Sequence, residues 1–198
     1  IIANGEFPTH EIPLNIIKDN QYIVCCDGGA NQLSKTNIAP SAIVGDCDSL
    51  SAENKEKFKD IIFPNADQET NDLTKSIYFC LEKGISDIII LAATGKRDDH
   101  TLANISLLAE HMEKISNLRM ITDYGVFTAI KNTFESFEGQ QVSIFSIEQT
   151  PISVNNLKYP IDNRILNIWW EGTLNESLGS VFEIKTNGKT IIYQTFCK

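Results

Sequence analysis

Aspartate-rich polar segments stand at the ends of apolar runs, and this arrangement restricts the fold of the 198-residue chain more than any other feature. Three such segments directly follow apolar runs: Asp27-Gly28-Gly29-Ala30, Asp46-Cys47-Asp48-Ser49 and Thr94-Gly95-Lys96-Arg97-Asp98-Asp99-His100. In an open α/β sheet, ligands bind in the crevice outside the carboxyl ends of the strands. We therefore expect these segments to converge on one acidic cleft.

The first half of the chain alternates between strand and helix patterns. Apolar residues recur at helical spacing after Asp72 and again after His100, and Gly84 ends the first of these helices. Strands are predicted near residues 1–3, 22–26, 42–45, 60–63, 87–93 and 118–122. Because strands that alternate with helices build parallel βαβ units, residues 1–124 are predicted to form an open parallel-sheet α/β domain.

The second half consists of short β-rich runs separated by turn residues. The runs cover residues 126–131, 141–146, 165–170, 180–185 and 190–196. Asn187-Gly188 separates the last two and predicts a hairpin, since this dipeptide is typical of tight β-turns. Trp169 and Trp170 are adjacent, so on a strand one of them would face inward. We predict that residues 125–198 form a smaller antiparallel β-sandwich domain, with a small barrel as the alternative.

The composition argues against several classes of partner. The formal charge is −9 without any Lys/Arg cluster, which argues against a nucleic-acid or anionic-membrane partner. No apolar run approaches the roughly 20 residues that a transmembrane helix needs. The five cysteines, from Cys25 to Cys197, are odd in number and lack C-x-x-C spacing, so neither a zinc site nor a disulfide framework is predicted. This cysteine usage fits a reducing cytoplasm.

Asp46 and Asp48 are the strongest candidates for a metal site. Alternate residues of an extended segment point the same way, so both carboxylates can face one cation. Two like charges this close are unfavourable unless a cation or hydrogen-bond donors neutralise them. The alternative is that Ser49 or one of the aspartates caps the next helix. Asp27-Gly28-Gly29 fits either close approach of a ligand to the backbone or a tight strand-to-helix turn.

A further carboxylate stands where a helix is predicted to begin. The helix dipole stabilises Asp72 in the first turn in any case. That explanation does not account for Gln68, Asn71 and Lys75, which cluster around Asp72 in the sequence. Hard oxygen ligands beside an Arg and a Lys suit Mg²⁺ that carries a polyphosphate.

The segment 94–100 places a candidate phosphate-binding residue at a strand-to-helix junction. Arg97 can fork onto phosphate oxygens. Asp98 or Asp99 can instead be an N-cap. His100 taken alone favours a structural role over a catalytic one.

These segments, in this order and spacing, resemble the thiamine pyrophosphokinase family. The resemblance covers the chain end to end and rests on residues 2–8, 27–30, 43–49, 68–75, 94–104, 156–160 and 172–176. It implies an N-terminal α/β domain, a C-terminal β domain and a homodimer with active sites between subunits. The family transfers the pyrophosphoryl group of ATP to thiamine with Mg²⁺, which gives thiamine diphosphate and AMP.

The resemblance also implies roles for individual residues of the first domain. Mg²⁺ would be held by Asp46, Asp48 and Asp72, one of which would accept the hydroxyl proton of thiamine. Asp99 would orient Arg97 or a metal-bound water. ATP would be bound by residues from the segments 27–30, 68–75 and 94–100: Asp27, Gly28, Gln68, Asn71, Lys75, Gly95, Arg97, Asp99 and His100.

In the second domain the resemblance assigns thiamine to three residues. Tyr159 would stack on its ring, with Thr173 and Asn175 as hydrogen-bonding partners. The chain departs from the family pattern at four positions: Asn71, Ala92, Lys96 and Leu174, where Thr, Gly, Gly and Ser are usual. Asn71 keeps hydrogen-bonding capacity, and Lys96 adds a cation beside the polyphosphate.

Overall fold

The computed structural model describes residues 1–115, 117–129 and 132–196. Two compact units make up the chain. The first contains residues 1–107 and 114–123, and the second contains residues 108–113 and 124–198. Cys197 and the last two residues of the predicted run 126–131 lie outside the described residues.

The first unit is built on parallel strands, as the alternating pattern predicts. Its strands are β1 (Val24–Cys26), β2 (Ala42–Gly45), β3 (Ile62–Pro64), β4 (Asp87–Ile90) and β5 (Asn117–Ile121). β2 pairs in parallel with β1 and β3, and β4 pairs in parallel with β5. Ile2 forms parallel bridges to both Cys25 and Leu91, so the segment around Ile2 lies between the two sets of strands. The carboxyl ends of these strands therefore share one edge.

The helices of this part of the chain follow the strand ends. They are α1 (Glu11–Asp19), α2 (Gly29–Leu33), α3 (Ala52–Lys57), α4 (Asp72–Glu82) and α5 (Asp98–His111), with a short 3-10 helix at Lys59–Ile61. Asn71 caps α4 by accepting a hydrogen bond from the Thr74 amide at 2.9 Å. Gly84 has a φ of +75°, which a glycine after a helix end adopts without strain.

Helix α1 is absent from the sequence-based prediction, and its capping explains why. The imidazole of His10 accepts a hydrogen bond from the Ile12 amide, although His is not a typical N-cap residue. The preceding amides of Thr9 and His10 donate to the Asp123 carboxylate, which is more than 110 residues away in the sequence. A helix start that depends on so distant a partner leaves little local signal.

The second unit is a β-sandwich, which confirms that prediction. Its strands are β6 (Gly125–Ala129), β7 (Thr133–Glu135), β8 (Gln141–Ser146), β9 (Pro151–Asn155), β10 (Ile161–Ile165), β11 (Asn175–Glu176), β12 (Val181–Lys185) and β13 (Thr190–Thr195). One antiparallel sheet has the order β10-β9-β12-β7, and the strands β11-β8-β13-β6 pair antiparallel in another. The buried core draws on both: Phe134, Val142, Ile144, Ile152, Val154, Leu157, Ile161, Leu166, Phe182, Ile184 and Ile192.

The hairpin predicted at Asn187-Gly188 is wrong. β12 pairs with β7 and β9, whereas β13 pairs with β6 and β8, so the turn carries the chain from one sheet to the other. A Cβ added to Gly188 would lie 1.9 Å from Thr150 Oγ1, so this turn packs against the β8–β9 connection. The local pattern identifies a turn but does not identify which sheet each flanking strand joins.

The predicted strand at residues 165–170 is also wrong over most of its length. β10 ends at Ile165, and a 3-10 helix follows at Trp169–Gly172. The Glu171 carboxylate accepts hydrogen bonds from the amides of Asn167 and Ile168 and thereby holds the turn. Trp169 and Trp170 are both exposed, so neither fills the core as expected. None of the described helices is long and apolar enough to cross a membrane.

We expect Phe182→Ala to lower the free energy of unfolding by about 3–5 kcal/mol, because a large buried side chain is lost and a cavity is left. Phe182 is fully buried and stacks on Phe134 at a ring-centroid distance of 5.0 Å. Urea denaturation followed by tryptophan fluorescence reports on this unit, since both tryptophans belong to it. Val181→Ala is the control, because its side chain is 38% exposed on the same strand and should change stability by less than about 0.5 kcal/mol. Equal losses at both positions would contradict the assigned faces of β12.

Candidate functional site

Unusual backbone conformations cluster where the parallel strands end. Asp27 follows β1 with a φ of +29°, and Cys47 follows β2 with a φ of +66°. Ala92 and Lys96, in the segment after β4, have φ values of +54° and +60°. Non-glycine residues seldom adopt positive φ, and such residues concentrate at functional sites. Three further non-glycine residues with positive φ lie in the second unit, so backbone geometry makes the strand-end edge one candidate among the described residues.

Three carboxylates meet at this edge. One oxygen each from Asp27, Asp46 and Asp48 lie within 4.8 Å of one another. Asp27 is buried, and its Oδ2 accepts a hydrogen bond from the Ser49 amide at 2.9 Å. The Asp48 amide donates to Asp46 Oδ1 at 3.1 Å, and the Ser49 hydroxyl donates to Asp48 Oδ1 at 2.8 Å. The segment after β2 thus folds back so that its aspartates face the aspartate after β1.

Burial and like charge act together on Asp27. The pKa of Asp27 is raised to about 6, chiefly because burial disfavours the charged carboxylate. The hydrogen bond from the Ser49 amide opposes this rise, and the neighbouring carboxyls of Asp48 and Asp72 add to it. The pKa of Asp48 is instead lowered, chiefly by the hydrogen bond from the Ser49 hydroxyl. One carboxyl of the pair is therefore disposed to keep a proton while the other is ionised.

The donor set fits a hard divalent cation. Asp27 Oδ1 is buried and has no hydrogen-bond partner, which is an unfavourable state that a cation would relieve. Carboxylate oxygens are the ligands that Mg²⁺ prefers. Among the described residues, the group suited to hold it is Asp27, Asp46 and Asp48, so the geometry adds Asp27 to the residues that the sequence assigned to metal. The sequence already indicated this position for Asp27, because Asp27 directly follows a buried strand, as Asp46 does.

Asp72 lies beside this group. A Cβ added to Gly45, whose φ is +153°, would lie 2.9 Å from Asp27 Cβ and 3.1 Å from Asp72 Oδ1, so Gly45 allows the two aspartates to approach. Asp72 Oδ1 accepts a hydrogen bond from Lys75 Nζ at 3.1 Å, one helical turn further along α4. The Lys75 side chain is buried and the Asp72 side chain is 33% exposed, so this ion pair is partly shielded from water.

A cavity of about 480 Å³ opens beside the carboxylates. Most residues that the sequence analysis assigned to Mg²⁺ or ATP line it: Asp46, Gln68, Asn71, Asp72, Lys75, Gly95, Arg97 and His100. Of the other assigned residues that the structure describes, Asp27, Gly28, Asp48 and Asp99 are not part of this lining. Asn4, Lys96 and Asn104 line the cavity although no role in a site was assigned to Asn4 or Asn104. The cavity therefore combines carboxylates with cationic and amide groups.

Arg97 and Asp99 form a two-point ion pair at the entrance to α5. Arg97 Nε contacts Asp99 Oδ1 at 3.1 Å, and its terminal nitrogen contacts Asp99 Oδ2 at 2.5 Å. The guanidinium holds the pKa of Asp99 down at about 2. Both side chains are more than 60% exposed, so solvent screens the attraction. This is the contact required by the hypothesis that Asp99 orients Arg97.

The three residues assigned to thiamine lie together in the second unit, but two of them already have backbone partners. Asn175 is buried, and it accepts a hydrogen bond from the Tyr159 amide at 3.0 Å and donates to the Tyr159 carbonyl at 2.7 Å. The Thr173 hydroxyl donates to the Trp170 carbonyl at 2.8 Å. The ring of Tyr159 is 59% exposed. Asn175 therefore fixes the segment that presents Tyr159.

Comparison with known proteins gives matches over both units. Residues 14–121 match the family described as "Thiamin pyrophosphokinase, catalytic domain", and residues 125–193 match "Thiamin pyrophosphokinase, substrate-binding domain". Thiamine pyrophosphokinase 1 of Oryza sativa subsp. japonica is 31% identical over 123 residues, which are 50% of this chain and 45% of that protein. The match thus spans less than half the length of the rice relative.

Two bacterial comparisons cover more of the chain. Thiamine pyrophosphokinase of Bacillus subtilis is 26% identical over 175 residues, which cover 82% of this chain and 81% of that protein. A crystal structure of Thiamine pyrophosphokinase from Bacillus subtilis superposes with a TM-score of 0.80 at 21% identity, over 98% of this chain and 97% of that one. At that identity, the structural match establishes the fold.

We expect the metal-free protein to lose stability as the pH rises from about 4 to 7. The pKa of Asp27 is raised in the folded state, from 3.8 to about 6, so its stabilising contribution is complete below the unfolded value and is lost as the pH passes through about 6. The loss between pH 4 and pH 7 is on the order of 2 kcal/mol, and roughly half of it falls between pH 5 and pH 7. Urea denaturation at pH 5 and pH 7 in a chelator measures it.

Asp27→Asn should abolish most of this pH dependence, and Mg²⁺ at pH 7 should raise the melting temperature of the wild type more than that of the variant. Asp60→Asn, at an exposed position, is the control and should behave like the wild type. Wild-type stability that does not change between pH 5 and pH 7 would contradict the raised pKa of Asp27.

Proposed function

Because the chain belongs to the thiamin pyrophosphokinase family, we propose that it transfers the pyrophosphoryl group of ATP to the hydroxyl of thiamine, producing thiamine diphosphate and AMP. The observation that carries this proposal is the meeting of Asp27, Asp46 and Asp48 beside a cavity lined with cationic side chains. Such a site suits a polyphosphate and its counter-cation, and phosphoryl-type transfer depends mainly on alignment and charge neutralisation.

The proposed step is a displacement at the β-phosphorus of ATP. The hydroxyl oxygen of thiamine forms a bond to this phosphorus, and the bond to the oxygen bridging the α- and β-phosphorus atoms breaks. AMP leaves with that oxygen, and a carboxylate of the cluster takes up the hydroxyl proton. When bound, Mg²⁺ supplies positive charge that offsets the charge on the phosphate oxygens.

Individual residues are proposed to act as follows. Asp46 and Asp48 would hold Mg²⁺, as the sequence suggests, with Asp27 as a further ligand. Asp72, the third residue that the sequence assigned to the metal, lies beside this group. The polyphosphate contacts Gln68, Asn71 and Arg97, with support from Lys75 and with Gly95 and His100 on the cavity wall. Asn71 Oδ1 caps α4, which leaves its amide nitrogen as the donor for an anion. Asp99 holds Arg97, and the Asp27-Gly28 turn borders the nucleotide side.

We also propose that the two domains have the separate roles that the family implies. Residues 1–124 act as the catalytic, ATP- and Mg²⁺-binding domain, and residues 125–198 act as the thiamine-binding domain. Tyr159 offers its exposed ring for stacking, and Thr173 and Asn175 support the backbone around it. Thiamine is a cation, so an acidic cleft also favours it. We place the protein in the cytoplasm, a proposal supported by free, buried Cys25, Cys26 and Cys80.

Incubation with ATP, Mg²⁺ and thiamine tests the proposed function. The expected products are AMP and thiamine diphosphate in equal amounts, resolved by ion-exchange chromatography. ADP with thiamine monophosphate would indicate ordinary kinase chemistry and would overturn the proposal. ATP binding without turnover would identify a nucleotide-binding protein instead.

Asp48→Asn is expected to reduce kcat by orders of magnitude, because the cluster loses a charge without losing its shape. Its free energy of unfolding should stay within about 1–2 kcal/mol of the wild type. Steady-state assays at limiting and saturating Mg²⁺ measure the effect. Asp162→Asn, at an exposed position on β10, is the control and should keep full activity. Full activity of Asp48→Asn at limiting Mg²⁺ would refute the metal assignment.

We further propose a homodimer with active sites at the subunit interface, as the resemblance implies. Light scattering at micromolar concentration should then give about twice the chain mass of 22.1 kDa. The exposed aromatic side chains of Tyr159, Trp169 and Trp170 are consistent with a surface that is covered in an assembly. A single species at the mass of one chain would count against the dimer.

A further inference from the structure

Lys96 occupies a special position on the wall of the cavity. It follows Gly95 in the connection between β4 and α5, and its own φ is +60°. Its side chain is exposed and lines the cavity. Lys96 Nζ donates to the Asn4 carbonyl at 2.9 Å and lies 3.4 Å from Asn4 Oδ1. An unusual backbone conformation thus carries an ammonium group to one fixed place at the cleft.

The cations that line the cavity differ in how their charge is compensated. Lys75 pairs with Asp72 at 3.1 Å, and Arg97 pairs with Asp99 at 2.5 Å. Lys96 contacts only neutral oxygens, and within the described parts of the chain no carboxylate oxygen lies within 4.0 Å of its ammonium. An ammonium has three donors, and the two contacts to Asn4 leave one for a ligand.

This difference decides which cation attracts an anion most strongly. A phosphate that approaches Lys75 or Arg97 competes with a carboxylate already bound there. A phosphate that approaches Lys96 displaces no charged partner, so it shares the attraction of the ammonium with no carboxylate bound there. Positive charge at this place matters for binding, because the carboxylates of Asp27, Asp46, Asp48 and Asp72 repel the same anion.

The contacts of Lys96 to Asn4 do not hold the cleft wall alone. The Gly5 amide donates to the Ala92 carbonyl at 2.6 Å, and the Glu6 amide donates to the Thr94 carbonyl at 2.8 Å. A Cβ on Gly28 would lie 2.5 Å from Asn4 Nδ2, so the Asn4 side chain also packs against the turn after β1. Because the backbone fixes this segment independently, removal of the ammonium should leave the wall in place.

We propose that Lys96 is the residue that anchors the polyphosphate and sets the preference for donors with more negative charge. This inference rests on the proposed function, because it assumes that a polyphosphate enters the cavity. Lys96 acts through its uncompensated charge, while Arg97 and Lys75 act from within ion pairs. The dependence of affinity on ligand charge therefore resides mainly in one side chain.

The test compares the wild type with Lys96→Met, which keeps the length of the side chain, and Lys96→Arg, which keeps its charge. Calorimetry with ATP, ADP and AMP should show that Lys96→Met weakens ATP binding about tenfold, ADP binding less and AMP binding least. In assays, KM for ATP should rise similarly while kcat stays within about twofold. ATP affinity of Lys96→Met should also depend less on salt concentration. Lys96→Arg should stay within about threefold of the wild type.

Lys59→Met is the matched control, because Lys59 forms an exposed surface pair with Glu56, and its nucleotide affinities should equal those of the wild type. A loss of equal size for ATP, ADP and AMP, or a fall in kcat and melting temperature with KM unchanged, would show that Lys96 only tethers Asn4 and would overturn the proposal. Unchanged affinities would overturn it as well. If the wild type binds ATP in this charge-graded way but forms no AMP with thiamine, the proposed function fails and the role of Lys96 stands.

Discussion

Crowding of negative charge at the strand ends is the constraint on which the rest of the site depends. Asp27 is buried between the ends of neighbouring strands, with Asp46 and Asp48 within 4.8 Å. Like charges at this distance are unfavourable unless a proton, a cation or hydrogen-bond donors offset them. Two features of Asp27 reflect this crowding: its pKa is raised, and its buried Oδ1 has no hydrogen-bond partner. The backbone path of β1 and β2 therefore brings these carboxylates together, which supports the proposal that a cation binds there.

Three cationic side chains lie around the carboxylate cluster and offset part of its negative charge. Lys75 is buried against Asp72, Arg97 is held by Asp99, and Lys96 rests on neutral oxygens of Asn4. The cavity thus presents acidic groups on one side and cationic groups on another, which suits a ligand that is itself an anion carrying a metal. Positive φ values at Asp27, Cys47 and Lys96 show that the chain accepts local strain to place these groups.

The sequence predicts the structure where a local pattern has one structural solution. Helix α4 begins after Asn71 because an amide cap precedes an apolar stripe, and the parallel strands follow from their alternation with helices. The sequence does not predict α1, whose start depends on the remote Asp123. It also does not predict the bend in the segment 165–170, where the Glu171 carboxylate accepts hydrogen bonds from two amides. The turn at Asn187-Gly188 is real, but its strands belong to different sheets.

For the site, the sequence by itself determined which groups are present and that they gather at one edge, because the carboxyl ends of parallel strands coincide. Only the tertiary structure determined which of these groups contact one another. It brought Asp27 into the carboxylate group, paired Asp72 with Lys75, and turned the amide of Asn175 to the backbone of Tyr159. Those outcomes depend on distances of a few ångströms between segments far apart in the chain. A sequence pattern fixes the order of residues and their local conformation, whereas charge compensation depends on which atoms finally touch.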